Sequence, residues 1–286
     1  MLGGGVVGVE MAQVYSELGA SVTIVEALDR LLAGEETFVA EQLDLAFRER
    51  GIDIRVGVTA EAVDRSRAIV NVELSDGQTV QAQEILVATG RRPLTGDLGL
   101  ETVGLKPGDT IEVDDALRVA GLPWLFAIGD VNGRSLLTHM AKYQARIAAQ
   151  VIAGREARAT RDDHSAPRVI FTDPQVAAVG LTLKGAQERG INAHAYDVAT
   201  SDTAGASFHG RNTPGTSRLV IDEDRSVIVG ATFTGTEVAD WLHAATIAIV
   251  GEIPLALLRE AVPAFPTRSE VWLRLLEHWS AQTPSA

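Results

Sequence analysis

The sequence predicts an α/β protein whose C-terminal part changes to an α+β pattern, and three observations carry that reading. A glycine-rich turn, Gly3-Gly4-Gly5-Val6-Val7-Gly8, opens a helical stretch that runs into a strand rich in β-branched residues. A second helix and strand follow in the same order, which is how a parallel sheet with helices on its faces is built. After Pro167 short strands come in a group and helices follow, the arrangement of an α+β domain.

Each element has its own signal. Val7, Met11, Val14 and Leu18 recur at helical spacing on one face of a first helix, which Gly19 ends. Ser21–Glu26 reads as a buried strand, Thr37–Arg50 as a second helix stopped by Gly51, and Asp53–Val56, Ala68–Leu74 and Glu84–Ala88 as strands. Asp76-Gly77 between apolar runs marks a hairpin turn. Trp124–Ile128 is an apolar strand stopped by Gly129-Asp130, and Leu136–Ile152 has a strong helical pattern. Gly154–Pro167 is charged and poor in large apolar residues, as a linker would be. Beyond it, strands are expected at Val169–Phe171, Ala177–Val179, Leu219–Ile221 and Val227–Phe233, with helices at Val238–Val250 and Ser269–Trp279. Val271, Trp272, Leu275, Leu276 and Trp279 share a helical face, for which burial in a subunit interface is the plainest explanation.

Composition narrows the function. The 286 residues carry a net charge of −13, which disfavours nucleic acid and anionic lipid as partners. No apolar run approaches the length of a membrane span, and the first residues lack a signal-peptide pattern, so a cytoplasmic location is expected. Cysteine is absent, which removes disulfides, thiolate metal sites and a cysteine nucleophile from this chain. His164, His194, His209, His243 and His278 show no metal-ligand spacing, and no metal is expected; His243 falls on a helical face and reads as core or interface.

Gly3-x-Gly5-x-x-Gly8 has the spacing of a Rossmann-like dinucleotide loop. The first glycine permits the tight turn, the second lets the backbone approach a pyrophosphate, and the third lets the helix pack closely on a strand. The helix N-terminus offers its amides to the phosphates. Glu26 ends the next strand, 18 positions after Gly8, where a carboxylate can accept from ribose hydroxyls and repel a 2′-phosphate, favouring NAD over NADP; Arg30 nearby weakens that preference. Glu10, in the second helical turn, is either an acid favoured near a helix N-terminus or a group facing the nicotinamide. A dinucleotide unit needs a strand before this loop, yet two residues precede Gly3; the expectation is a chain that starts inside a central strand, by truncation or a misplaced start.

Four segments resemble the pyridine nucleotide-disulphide oxidoreductases, the family of dihydrolipoamide dehydrogenase and mercuric reductase. Gly3–Glu10 is similar to the family's NAD loop, Ala88-Thr89-Gly90-Arg91-Arg92-Pro93 to the segment closing the NAD domain, Ala127-Ile128-Gly129-Asp130 to its second flavin motif, and Pro167–Pro174 with Val179-Gly180 to the start of its dimerisation domain. The resemblance implies an NAD-binding domain over 1–92 without its first strand, the C-terminal part of an FAD-binding domain over 93–154, a linker over 155–166, and an α+β dimerisation domain over 167–286. It implies that Gly3, Gly4, Gly5, Val6, Val7, Gly8, Glu10, Glu26 and Gly90 serve NAD, with Glu10 near the nicotinamide. It implies that Gly129 and Asp130 serve FAD, Asp130 holding a ribitol hydroxyl, and that Thr138, His139 and Ala141 lie by the flavin pyrimidine edge. By itself His139 reads equally as an ordinary helix-start histidine.

Two departures shape the functional expectation. The family's first flavin loop and redox cysteine pair lie in a segment that this sequence does not contain. The family's acid–base histidine corresponds to Phe265, which cannot exchange protons, although the glutamate that would orient it is retained as Glu270. The expectation is an FAD-dependent oxidoreductase and homodimer, joined through residues 167–279. It would pass hydride from NADH through flavin to a small acceptor of quinone or dihydrolipoamide type. The alternative is an inactive remnant that still dimerises and retains some nucleotide binding.

Overall fold

The computed structural model describes residues 1–162, 166–210 and 213–282. His164, the tail of the expected C-terminal domain beyond residue 282 and part of the expected linker lie outside the described residues. The chain forms two compact units, Met1–Gly90 with Val169–Ala286, and Arg91–Arg168. The segments expected as separate first and last domains therefore pack together in one unit.

The first unit opens with α1 (Val6–Glu17), β1 (Thr23–Glu26), α2 (Thr37–Glu49) and β2 (Asp53–Val56). β1 and β2 pair in parallel, and Leu2 adds parallel bridges to Val25 and to Val87. The expected strand Glu84–Ala88 is thus reduced to one bridge, because Leu2 is the residue it pairs with; Leu2 donates to Leu86 O and accepts from Ala88 N–H. β3 (Ala60–Ser66), β4 (Ile69–Leu74) and β5 (Thr79–Ala82) form an antiparallel sheet, with Asp76-Gly77 in the β4–β5 turn as expected. α2 buries Val39, Ala40, Leu43 and Phe47, a stripe at helical spacing. Each large side chain fully buried there contributes roughly 1.5–3 kcal/mol.

α1 does not bury the face its periodicity suggested. Val7, Val14 and Leu18 are exposed, and Gly8, Val9 and Ala12 are buried instead. Gly8 and Ala12 let the helix axis approach the sheet closely, which buries Val9 on the same line and leaves Val7, Val14 and Leu18 off it, facing outward.

The second unit holds β6 (Arg118–Val119), β7 (Leu122–Phe126) and α3 (Thr138–Ile152). α3 buries Met140, Gln144, Ala148 and Val151. The stretch read as a linker is anchored here, since Ala159 and Asp162 are both fully buried. A charged segment looks like a linker until its charges find buried partners, and Asp162 does.

The first unit resumes with β8 (Arg168–Ile170), β9 (Gln175–Gly180), α4 (Leu183–Glu188), β10 (Ala193–Ala199), β11 (Thr216–Asp222), β12 (Val227–Gly235), α5 (Leu242–Val250), α6 (Leu255–Leu258) and α7 (Glu270–Gln282). The strands form a sheet in the order β10-β11-β12-β9-β8, with antiparallel pairing across β10, β11, β12 and β9. Val271, Leu275, Leu276 and Trp279 of α7 pack in the core of this sheet with Leu219, Ile221 and Phe233. Their periodicity thus reports the chain's own core, which corrects the expected subunit-interface burial. His243 on α5 is exposed, so the core alternative for it falls.

Polar bridges bind the two parts of this unit. Arg218 on β11 pairs with Glu36 at 2.8 Å and Asp197 at 2.7 Å, and Glu36 is only 6% exposed. Asp197 holds the Arg218 guanidinium above its usual pKa through a side-chain hydrogen bond, and Glu36 adds to the effect. Gln42 of α2 bonds to Thr216 and Thr234 hydroxyls at 2.8 and 2.6 Å.

Candidate functional site

The glycine loop and Glu26 edge one crevice. Gly4 N–H donates to Glu26 Oε2 at 2.5 Å, and Leu28 N–H donates to Oε1 at 2.7 Å. β1 ends at Glu26, so the parallel pairing of β1 with Leu2 is what brings its carboxylate to the loop. Gly3 N–H donates to Val25 O at 2.8 Å and fixes the loop's start.

Three of the four loop glycines have a steric reason. Gly3 sits at φ 102°, and a Cβ there would lie 2.5 Å from Ala88 O. A Cβ on Gly4 would come within 2.6 Å of Leu31 Cδ2 and 3.1 Å of Glu26 Oε2. A Cβ on Gly8 would lie 1.9 Å from Gly3 O, so this glycine sets the close contact of helix and loop. Gly5 is different, since a Cβ there would meet nothing within 4 Å. Fold packing does not require its lack of a side chain; what it preserves is open space above the loop. Val6 and Val7 are exposed at the first turn of α1, where amides have no partner within the helix. Such a turn can receive an anion.

Glu10 is engaged within its own unit. Its Oε1 accepts from Phe171 N–H at 2.8 Å, while Gln13 accepts from Asp173 N–H at 2.7 Å. Arg50 donates to Asp173 O at 2.6 Å and also to the Asp173 carboxylate. Glu10 therefore ties α1 to the segment after β8. Gly90 is exposed at φ 137° with open space where a side chain would be.

In the second unit the corner after β7 is tightly held. Gly129, at φ 76°, is buried, and its N–H donates to Gln144 Oε1 at 2.6 Å. Asp130 is exposed beside Arg91, 3.5 Å away. Ala141 packs under the corner, 3.3 Å from where a Gly129 Cβ would be. Thr138 starts α3, and Leu137 before it provides no side-chain cap. His139 is exposed, with Nε2 2.8 Å from Pro167 O. Gly129, Asp130 and Ala141 thus share one corner, whereas the His139 ring engages the chain at Pro167. Sequence reasoning missed Gln144, Asn132, Arg134 and Asp162. A signal existed for one of them, because Gln144 occupies the apolar stripe of α3 between Met140 and Ala148.

At the position of the family's histidine, Phe265 is 77% exposed. Glu270 is buried and its Oε2 accepts from Thr267 N–H at 3.3 Å. It steadies the start of α7 instead of a catalytic ring. Among the described residues no group of three His, Cys, Asp or Glu could hold a metal ion. No helix of the described residues is long and apolar enough to cross a membrane.

Residues 1–145 match the family described as pyridine nucleotide-disulphide oxidoreductase, and residues 166–275 match its dimerisation domain. The chain belongs to the pyridine nucleotide-disulphide oxidoreductase family. Among its relatives is a dihydrolipoyl dehydrogenase of Chlamydia pneumoniae, 34% identical over 95% of this chain and 58% of the relative. A glutathione reductase of Burkholderia cepacia is 31% identical over 96% of this chain and 61% of its own length. LpdA from Mycobacterium tuberculosis has a crystal structure similar to this one, with a TM-score of 0.86 and 26% identity over 96% of this chain and 60% of that one. An HOCl-induced flavoprotein disulfide reductase of Escherichia coli gives a TM-score of 0.85 at 25% identity, covering 96% of this chain and 63% of that one. The chain thus spans about three-fifths of the length of the relatives it matches.

Proposed function

We propose that the chain carries the nicotinamide-dinucleotide site and part of the flavin site of an FAD-dependent NADH oxidoreductase. The observation that carries this reading is the crevice in which the Glu26 carboxylate meets the Gly4 amide while the space above Gly5 stays open. The helix amides of Val6 and Val7 and the open face of Gly5 would seat the pyrophosphate. Glu26, already fixed by two amides, would accept from the adenosine ribose hydroxyls with its remaining lone pairs. A 2′-phosphate would meet that fixed negative charge. Arg30 offers it little help, since its guanidinium donates to Ala33 O at 2.8 Å and lies 3.6 Å from Asp29. These contacts support NAD over NADP. Gly90 and Glu10 would border the rest of the dinucleotide.

The Gly129 corner fits the ribitol side of a flavin: an exposed carboxylate, Asp130, stands on a turn whose own polar groups are satisfied from within. Thr138 and Ala141 lie at the start of α3, whose N-terminal dipole would favour negative charge on a reduced ring, with His139 beside them. When bound, nicotinamide and flavin supply the hydride chemistry, and this chain contributes binding, orientation and electrostatics. Phe265 provides no proton exchange, so the acceptor is a small molecule reduced directly from flavin, such as a quinone, which takes up two electrons and two protons to become a hydroquinone. Exposed Val262, Phe265, Ile247, Val250 and Leu257 on the C-terminal helices and loops give residues 167–279 an apolar surface suited to a homodimer.

The test is a titration of the purified chain with NADH, followed by nucleotide fluorescence, together with its visible spectrum and its reduction of an artificial electron acceptor. Saturable NADH binding and a bound flavin spectrum support the reading. A colourless protein without NADH binding that nevertheless self-associates would support the remnant alternative and sink this one.

A further inference from the structure

A fully buried carboxylate in a segment that looks like a linker needs a reason. Asp162 is 0% exposed, and so is Gln144 on α3. Gln144 Nε2 donates to Asp162 Oδ2 at 2.7 Å. Gln144 Oε1 accepts twice, from Gly129 N–H at 2.6 Å and from Asn132 Nδ2 at 2.9 Å. Asn132 Nδ2 also reaches Ala127 O at 3.1 Å, and its Oδ1 accepts from Arg134 N–H at 3.0 Å. Gln144 Oε1 and the Asn132 amide are therefore spent on the turn that carries Asp130 and the residues beside it, while Gln144 Nε2 is held by Asp162.

Arg134 closes the network. Its Nη2 lies 3.0 Å from Asp162 Oδ1, a charge contact rather than a hydrogen bond, because Nη2 donates to Asp115 Oδ1 at 3.2 Å and Ala159 O at 3.1 Å. Asp162 Oδ1 is left without a hydrogen bond of its own. Burying a carboxylate on those terms is costly, and an apolar pair could fill the same space at less cost. What the polar arrangement adds is direction. It fixes which way Gln144 faces, and so where the Gly129 amide and the neighbouring Asp130 carboxylate stand.

We infer that Gln144 and Asp162 are positioning residues for Asp130: the buried Asp162 carboxylate orients the Gln144 amide, and Gln144 sets the Gly129–Asp130 corner for a flavin ribitol. The inference rests on the flavin reading of Asp130. It adds that the orientation comes from the segment after α3, outside the motif itself.

The test compares the full chain with Asp130→Ala, Gln144→Leu and Gln144→Glu variants. FAD binding is read by flavin fluorescence quenching, NADH binding by nucleotide fluorescence, and the Gly129 amide by hydrogen exchange in NMR spectra. Gln144→Leu removes the acceptor of Gly129 N–H, so the FAD dissociation constant should rise roughly 10-fold or more while NADH binding is unchanged. The Gly129 amide should lose protection. Gln144→Glu keeps the acceptor and faces the Asp162 carboxylate and the Arg134 guanidinium. It can bridge to Asp162 only when protonated, so FAD affinity should be recovered on acidification and lost as pH rises, with no such dependence in the unaltered chain. Weakening by Asp130→Ala with no weakening by Gln144→Leu overturns the inference and leaves the flavin reading standing. Loss of NADH binding in Gln144→Leu, or no recovery of Gln144→Glu in acid, reduces the network to general structural support and overturns it too. An unaltered chain without saturable FAD binding overturns the flavin reading of Asp130, and the inference falls with it.

Discussion

Replacing Gly5 with alanine should separate the ligand's demands from the fold's. Gly5 is the N-cap of α1, with φ −76° and ψ −175°, angles that alanine adopts without strain. An added Cβ meets nothing within 4 Å, so the folded chain has no clash to relieve. Two small effects then oppose each other. Loss of backbone freedom in the unfolded chain stabilises by about 0.4–1 kcal/mol. Alanine is a poorer N-cap than glycine by roughly 0.5–1 kcal/mol. The net change should stay within about 0.5 kcal/mol, which corresponds to a Tm shift of under about 2 °C for a chain of this size.

Nucleotide binding should respond differently. The methyl group would occupy the space where a pyrophosphate must approach the loop, holding it off the helix amides. Losing one or two hydrogen bonds to a charged phosphate costs roughly 1.5–3 kcal/mol each, so NADH affinity should fall at least ~10-fold. Gly8→Ala is the contrast, because its Cβ would lie 1.9 Å from Gly3 O. That overlap has to be relieved by moving α1, at a cost of about 1–3 kcal/mol or more, so Gly8→Ala should lower Tm visibly. The assay is a thermal scan and an NADH fluorescence titration of the two variants side by side. Unchanged NADH affinity in Gly5→Ala would refute the phosphate seat. A large Tm loss in Gly5→Ala would refute the steric argument behind it.

Three further outcomes follow from the packing. Arg218→Met strands the buried Glu36 and should cost about 3–5 kcal/mol in denaturant unfolding, whereas Arg218→Met with Glu36→Gln should recover part of the loss; equal destabilisation by both would show that packing, not charge, is at stake. Arg268 stacks 4.3 Å over the Trp241 ring, two of its buried nitrogens lack hydrogen bonds, and desolvation lowers its pKa. Arg268→Met should therefore be neutral or stabilising by up to ~2 kcal/mol, and a clear loss would mean that the cation–π contact outweighs desolvation. Phe265→Ala should leave unfolding within about 0.5 kcal/mol, given its exposure, yet weaken self-association in sedimentation; unaltered association would remove Phe265 from the proposed dimer surface.

The parts of this fold that the sequence made legible are those where one local rule governs. The glycine spacing, the β-branched strand ending in Glu26 and the Asp76-Gly77 turn each depend on near neighbours, and each stands where it was expected. β3 and β10 went unread. β3 is largely exposed, so alternation of apolar and polar residues has little to report there. Asp162 was misread for the opposite reason, since its environment is made by Gln144 and Arg134 from other elements. Spacing cannot show a partner that only the tertiary fold supplies.

The first helix shows why periodicity alone does not pick the buried face beside a glycine loop. The condition that makes Gly8 necessary, contact with Gly3 O, brings the helix down onto the loop and sheet along a line set by two small residues, Gly8 and Ala12, with Val9 buried beside them. Once that line is the contact, Val7, Val14 and Leu18 lie off it and must face outward, whatever their spacing suggests. Hydrophobic periodicity assumes that the largest apolar residues define the buried face. A loop built to bring backbone amides to a phosphate inverts that assumption, because close approach, and not apolar area, sets the geometry of its helix. Enlarging the small face should then be more damaging than polarising the large one. Ala12→Leu should destabilise by about 1–3 kcal/mol, whereas Val14→Lys should change unfolding by no more than about 0.5 kcal/mol. If Val14→Lys proved the worse of the two in equilibrium unfolding, the helix would be seated on its large face and this account of the loop would fail.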